Sequence, residues 1–179
     1  MTLSPSSSVR KAILVGGLAA GVLDAVDAVV AFKLVLGLGP IPIYQFVASG
    51  MLGPRAFSGG IATAALGLAI HFLIAFTAAA VFALASGQMQ RLRESFIVAG
   101  LAYGVAVYAF MSYLVIPLSA IPPSPFSVPL FLNGVIGHAL LVGLPISYFT
   151  YRYAQEGDSA RSARDATRLP RSGAAKVGT

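Results

Sequence analysis

The sequence predicts an all-α membrane protein with four transmembrane helices, arranged as two tandem helical hairpins with both termini on the cytoplasmic side. Three observations predict it. Hydrophobic residues make up 57% of the 179 and charged residues 10%, where soluble domains carry about 25% charged residues; mean hydropathy is +0.83. The apolar residues fall into four runs, each near the roughly 20 residues that a spanning helix needs. The basic residues alternate in side: Arg10, Lys11, Arg91, Arg93, Arg152, Arg161, Arg164, Arg168, Arg171 and Lys176 fall on one face of the membrane, and only Arg55 and Lys33 on the other. Basic residues collect in the cytoplasm, which sets the orientation.

Taken in order, residues 1–10 read as a polar, Ser-rich, disordered leader. Arg10 and Lys11 ahead of an apolar run resemble a secretory signal. The run continues to about Leu36, too long for a signal core, and no small-residue cleavage site follows. It is therefore the first helix of a transmembrane domain over 11–153. That helix covers about 11–37 and stops where Pro40 and Pro42 forbid continuation. Residues 41–60 are too mixed to span; they read as an interfacial or re-entrant segment, with a short helix over 43–52 broken at Gly53-Pro54. Helix two covers about 61–86, a polar turn follows at 88–94, and helix three covers about 95–117. The loop 117–127 holds four prolines and no charge, which places it in the interface, and helix four covers about 128–151. Residues 154–179 read as a basic, disordered cytoplasmic tail.

The chain has neither cysteine nor tryptophan. The first absence excludes disulfides, thiolate metal sites and thiol catalysis. The second leaves interfacial anchoring to tyrosines such as Tyr44, Tyr148, Tyr151 and Tyr153. Arg161, Arg164 and Arg168 share a helical face that could touch anionic lipid; without an opposing bulky apolar face they read as solvated topology determinants. The charge of +6 sits largely in that tail, so the expected partners are the lipid bilayer and a second copy of the chain, not nucleic acid.

An internal repeat underlies the two hairpins. GLAAGV at 17–22 matches GLAYGV at 100–105, and at the same offset Pro40 and Pro42 fall on Pro123 and Pro125. At a smaller offset GLAIH at 67–71 matches GVIGH at 134–138. A duplicated hairpin gives this order of landmarks, with a pseudo-two-fold axis along the membrane normal. Gly17 with Gly21, and Gly100 with Gly104, are small-xxx-small pairs suited to close helix packing. The copies differ in charge: Val107 and Phe110 stand where the first copy has Asp24 and Asp27.

Four ionisable side chains lie deep in the spans: Asp24 and Asp27 in helix one, His71 in helix two and His138 in helix four. Counting about 1.5 Å per residue from the helix ends puts all of them near the midplane. Asp24 and Asp27 are three apart and share a face. Charges at that depth cost at least about 2.5–3.5 kcal/mol, so these groups should face the bundle interior, paired or neutralised. Three chemistries fit: proton or cation handling; a divalent metal held by two imidazoles and carboxylates; and a haem held by His71 and His138 from opposed helices. A fourth reading is purely structural, with interhelical hydrogen bonds fixing the packing. Lys33 is placed to snorkel to the interface. Asn133 is expected to hydrogen-bond between helices. Arg55, in a Gly-rich stretch, could contact an anion or lipid headgroup, although the glycines lack nucleotide-loop spacing. An enzyme is not expected: Ser58 has no histidine at its depth, and the loops are too short for a soluble catalytic domain.

The second half resembles the YagU-like family of bacterial inner-membrane proteins, through GLAYGVAVYAF, the PLSAIPPSPFSVP loop and the Gly137-His138 pair that opens the last apolar stretch. The first half is similar more loosely, through GLAAGV and His71. The resemblance implies a multi-pass protein of a bacterial inner membrane. Its association with acid tolerance implies a proton-linked role for the histidines. Residues 45–60 depart from the pattern, and no loop function carries over there.

Overall fold

Among the described residues of the computed structural model of the protein, four helices are long and apolar enough to cross a membrane: Ser7–Leu36, Gly60–Gln88, Phe96–Leu118 and Val128–Arg164. The structure describes residues 7–89 and 91–168, and those residues form helices with no strand among them. We label the elements α1 (Ser7–Leu36), α2 (Pro40–Leu52), α3 (Gly60–Gln88), the single turn α4 (Arg91–Glu94), α5 (Phe96–Leu118) and α6. The last is continuous through Val128–Gly137, His138–Gly143 and Leu144–Arg168.

Both ends of the helical domain run further than the sequence led us to expect. Residues 7–10 are helical, not disordered, and α6 continues through Arg168 instead of giving way to a disordered tail at 154. Residues 1–6 and 169–179, with Arg171 and Lys176, lie outside the described residues. One close contact joins the two extensions. Gly157 of α6 approaches the start of α1 so closely that a Cβ on it would sit 2.7 Å from the Ser8 hydroxyl oxygen. Each otherwise marginal helix end is thus held by the other, and Arg152 and Glu156 add an exposed i,i+4 pair at 3.6 Å.

α1 ends at Gly37, whose φ of +71° suits a residue without Cβ and whose N–H returns to Lys33 O. The prolines expected only to stop the first helix also start the next: Pro40 and Pro42 lie in the first turn of α2, where a missing N–H costs nothing. α2 then crosses α3 at Gly67, where a Cβ would collide with the Tyr44 carbonyl. Buried Gln45 ties the two helices by donating to Gly60 O at 3.0 Å. A 3₁₀ turn over Gly53–Ser58 returns the chain to α3. The far end of α2 receives the 117–127 loop through Ala120 N–H to Gly50 O.

The spans pack through small residues. Gly17 and Gly21 of α1 face the rings of Phe76 and Phe72, and Gly100 and Gly104 of α5 lie directly against Gly143 and His138 of α6. Ala20, Ala78, Ala79, Phe82, Val142 and Ile146 form the buried centre between α1, α3 and α6, with Tyr103 of α5 against it. Large aliphatic side chains point outward instead, including Leu34 at 80% exposure and Leu73 at 66%. Small residues inside and leucines outside is the inverse of a water-soluble bundle and the arrangement that lipid favours.

Two π segments interrupt the spans, Met111–Val115 in α5 and His138–Gly143 in α6, and each lies just before a proline, Pro117 or Pro145. A proline ring clashes with the carbonyl four residues earlier, here that of Tyr113 or Leu141, inside each π segment. Widening the turn relieves that clash: Ile116 N–H reaches Met111 O, and Leu144 N–H reaches Ala139 O.

Candidate functional site

The Asp24 carboxylate stands between two imidazoles. Its Oδ2 is 3.9 Å from His71 Nδ1, and its Oδ1 is 3.7 Å from His138 Nδ1. The three side chains keep 15–23% of their surface exposed. α1 brings the carboxylate, α3 the first histidine and the π segment of α6 the second. Gly21, one turn before Asp24, lets the α3 ring face come close and presents its carbonyl to His71 Nε2 at 2.9 Å.

That last contact fixes the proton arrangement. A carbonyl only accepts, so His71 Nε2 must carry a hydrogen and donate it. A neutral His71 would then turn a bare Nδ1 lone pair toward a carboxylate, two acceptors face to face. A proton on Nδ1 or on the carboxyl resolves the conflict. The separations are longer than a direct hydrogen bond and lie within reach of a small ring rotation or one bridging water.

Aromatic rings wall the cluster. Phe72 lies edge-on to His71 at 5.5 Å, Tyr44 at 6.3 Å, and Tyr108 lies edge-on to His138 at 5.4 Å. Tyr44, expected as an interfacial anchor, turns its hydroxyl inward and donates to Ala25 O at 3.3 Å. Burial, and then the nearby Asp24 carboxylate, raise the Tyr44 pKa above its ordinary value, which keeps the phenol a donor.

The two aspartates expected to act together take separate partners. Asp27 Oδ2 accepts a hydrogen bond from Asn133 Nδ2 at 2.8 Å and lies against Gly137, where a Cβ would stand 2.8 Å from it. Asn133 thus makes the interhelical bond expected of it. Lys33 Nζ reaches Gly37 O at 3.4 Å at the exposed end of α1. Arg55 is exposed on the Gly53–Ser58 turn, outside the cluster, with its carbonyl accepting from Ser58 Oγ.

Sequence reasoning reached Asp24, His71 and His138 but not Gly21, Tyr44 or Tyr108. A backbone acceptor leaves no mark in a sequence, and α2 bears no periodicity that would point Tyr44 inward. Among the described residues no group of three or more His, Cys, Asp or Glu side chains converges as a metal site. In this arrangement His71 holds Gly21 O with one ring nitrogen and faces Asp24 with the other, so it offers no free nitrogen to an iron. Comparison of the chain with family models, with curated proteins and with solved structures finds no match in any of the three.

Proposed function

We propose that this is a small proton-handling transport protein of a bacterial inner membrane, with Asp24 as a carboxylate shared between His71 and His138. One observation carries the reading: each oxygen of a single intramembrane carboxylate faces the Nδ1 of a different histidine. Ionisable groups at such depth mark proton and ion paths. In the proposed step the Asp24 carboxyl already holds a proton on Oδ2: Oδ1 takes a proton from the His138 imidazolium as Oδ2 gives its own to the bare Nδ1 of His71, so the carboxyl stays neutral and the positive charge passes from one ring to the other. Release beyond His71 requires its ring to let go of Gly21 O, because a backbone carbonyl cannot relay a proton. Asp27 sits one turn away as a positioning group, held by Asn133.

The finer topology belongs to the same proposal: two hairpins of common origin, both termini cytoplasmic by the basic-residue bias, and kinship with the YagU-like proteins. An association of two or more copies fits a chain of this size.

Proton flux into liposomes carrying the purified protein tests the reading. Asp24→Asn and the double variant His71→Ala, His138→Ala should each lower flux by roughly 10²-fold, the scale of a positioned acid–base group. Flux equal to the unaltered protein's in both variants would remove the basis of the proposal. A Soret band or stoichiometric metal in the purified protein would instead point to ligation by His71 and His138.

A further inference from the structure

A cavity of about 640 Å³ opens at the opposite end of the bundle from α2, where α1 begins, α3 ends and α6 leaves the apolar region. We infer that it binds a phosphodiester headgroup, phosphate at its mouth and a hydroxyl or ammonium group at its floor.

The cavity exists because its walls are small. Ala12, Ala83, Gly87, Ala154 and Gly157 line it. Between α5 and α6 such residues let backbones touch; here α1 and α6 touch at Ser8 and Gly157, and beside that contact the missing side chains leave space toward the end of α3.

Its two ends differ in chemistry. Arg161 and Arg164 stand on one face of α6 at the mouth, and helical side chains lean toward the N-terminus, here toward the floor. At the floor Ser86 and Thr150 are 2% and 5% exposed. Their hydroxyl protons go to Ala83 O and Ile146 O, at 2.9 Å and 2.8 Å. What they turn to the cavity is therefore lone pairs, which an anion avoids and a hydroxyl or ammonium donor satisfies.

Charge and length narrow the occupant further. Arg161, Arg164 and Asp158 give the lining two positive charges and one negative, which suits a phosphodiester monoanion better than a phosphomonoester dianion. Thr150 and Arg161 are eleven residues apart, about 16 Å along the helix. A bare phosphate held by the arginines cannot reach the floor; a phosphoglycerol or phosphoethanolamine group spans most of the gap. That chemistry occurs on phospholipids and on water-soluble glycerophosphodiesters. The inference stands independently of the proton reading, since the buried Phe82–Ile146 cluster lies between the cavity and Asp24.

The absence of cysteine makes the test clean. In detergent-purified protein, Gly87→Cys supplies one thiol on the exposed part of the cavity wall, where a Cβ meets nothing within 4 Å, and its rate of reaction with a maleimide reports occupancy. Phosphatidylglycerol or phosphatidylethanolamine micelles should slow labelling about ten-fold, through charge-assisted bonds to the arginines. Protection by these lipids alone assigns a lipid headgroup, and protection by glycerophosphoglycerol or glycerophosphoethanolamine in water assigns a soluble source. Adding Arg161→Gln and Arg164→Gln, both exposed and remote from the packed centre, should abolish protection, and lysine at both positions should restore part of it. Equal protection by uncharged diacylglycerol, by inorganic phosphate alone, or in the glutamine variant would overturn the inference, as would no protection by any probe.

Discussion

Asp24 and Asp27 are one helical turn apart and identical in chemistry, yet their surroundings assign them different work. Asp24 meets two titratable rings; Asp27 meets an amide that cannot change charge. The amide bond should therefore be mainly structural. Asn133→Leu leaves the Asp27 carboxyl without its donor and should lower stability in detergent by about 0.6–2 kcal/mol, the range of interhelical polar contacts in membranes. Thermal unfolding measures it, and an unchanged midpoint would show that the bond contributes nothing. Both aspartates were legible as a buried acidic pair from their spacing. Their division was not, because it depends on which residues of α3 and α6 arrive opposite each.

At the scale of elements, the π segment in α6 can be tested directly, since His138 is its first residue. A π turn inserts one residue into the helix, so closing it rotates the flanking segments by about 100° relative to one another. Pro145→Ala removes the clash that favours the wide turn. The expected outcome is a folded protein whose His138 no longer meets Asp24, with proton flux reduced nearly as far as in His138→Ala. Wild-type flux with a helical protein by circular dichroism would show that the π turn has another cause. The apolar run was enough to expect a helix here; the local widening follows from the clash that Pro145 would otherwise make with the Leu141 carbonyl, which the apolar pattern alone does not register.

For the whole molecule, the orientation remains a matter of charge, and single cysteines can read it. With an impermeant maleimide on intact cells, Phe57→Cys and Ser124→Cys should label from outside. Ser8→Cys and Gln155→Cys should label only after permeabilisation. The reverse pattern would invert the topology and place α2 in the cytoplasm. The ends of α1 and α6 share one end of the bundle through Ser8 and Gly157, so the two termini must label alike in either case.

That four apolar helices form, with a few polar groups among them, could be read from the residues alone, because span length and the cost of charge in lipid are local properties of composition. The remainder came from the packing of the helices. It brought α6 against the start of α1, for Gly157 lies 149 residues from Ser8 in the chain. It also turned Tyr44 inward and gave Asp24, not Asp27, the two histidines. Each of these outcomes depends on which helix faces are apposed, and in lipid that choice rests on the fit of small residues and a few hydrogen bonds. Periodicity alone cannot rank such fits.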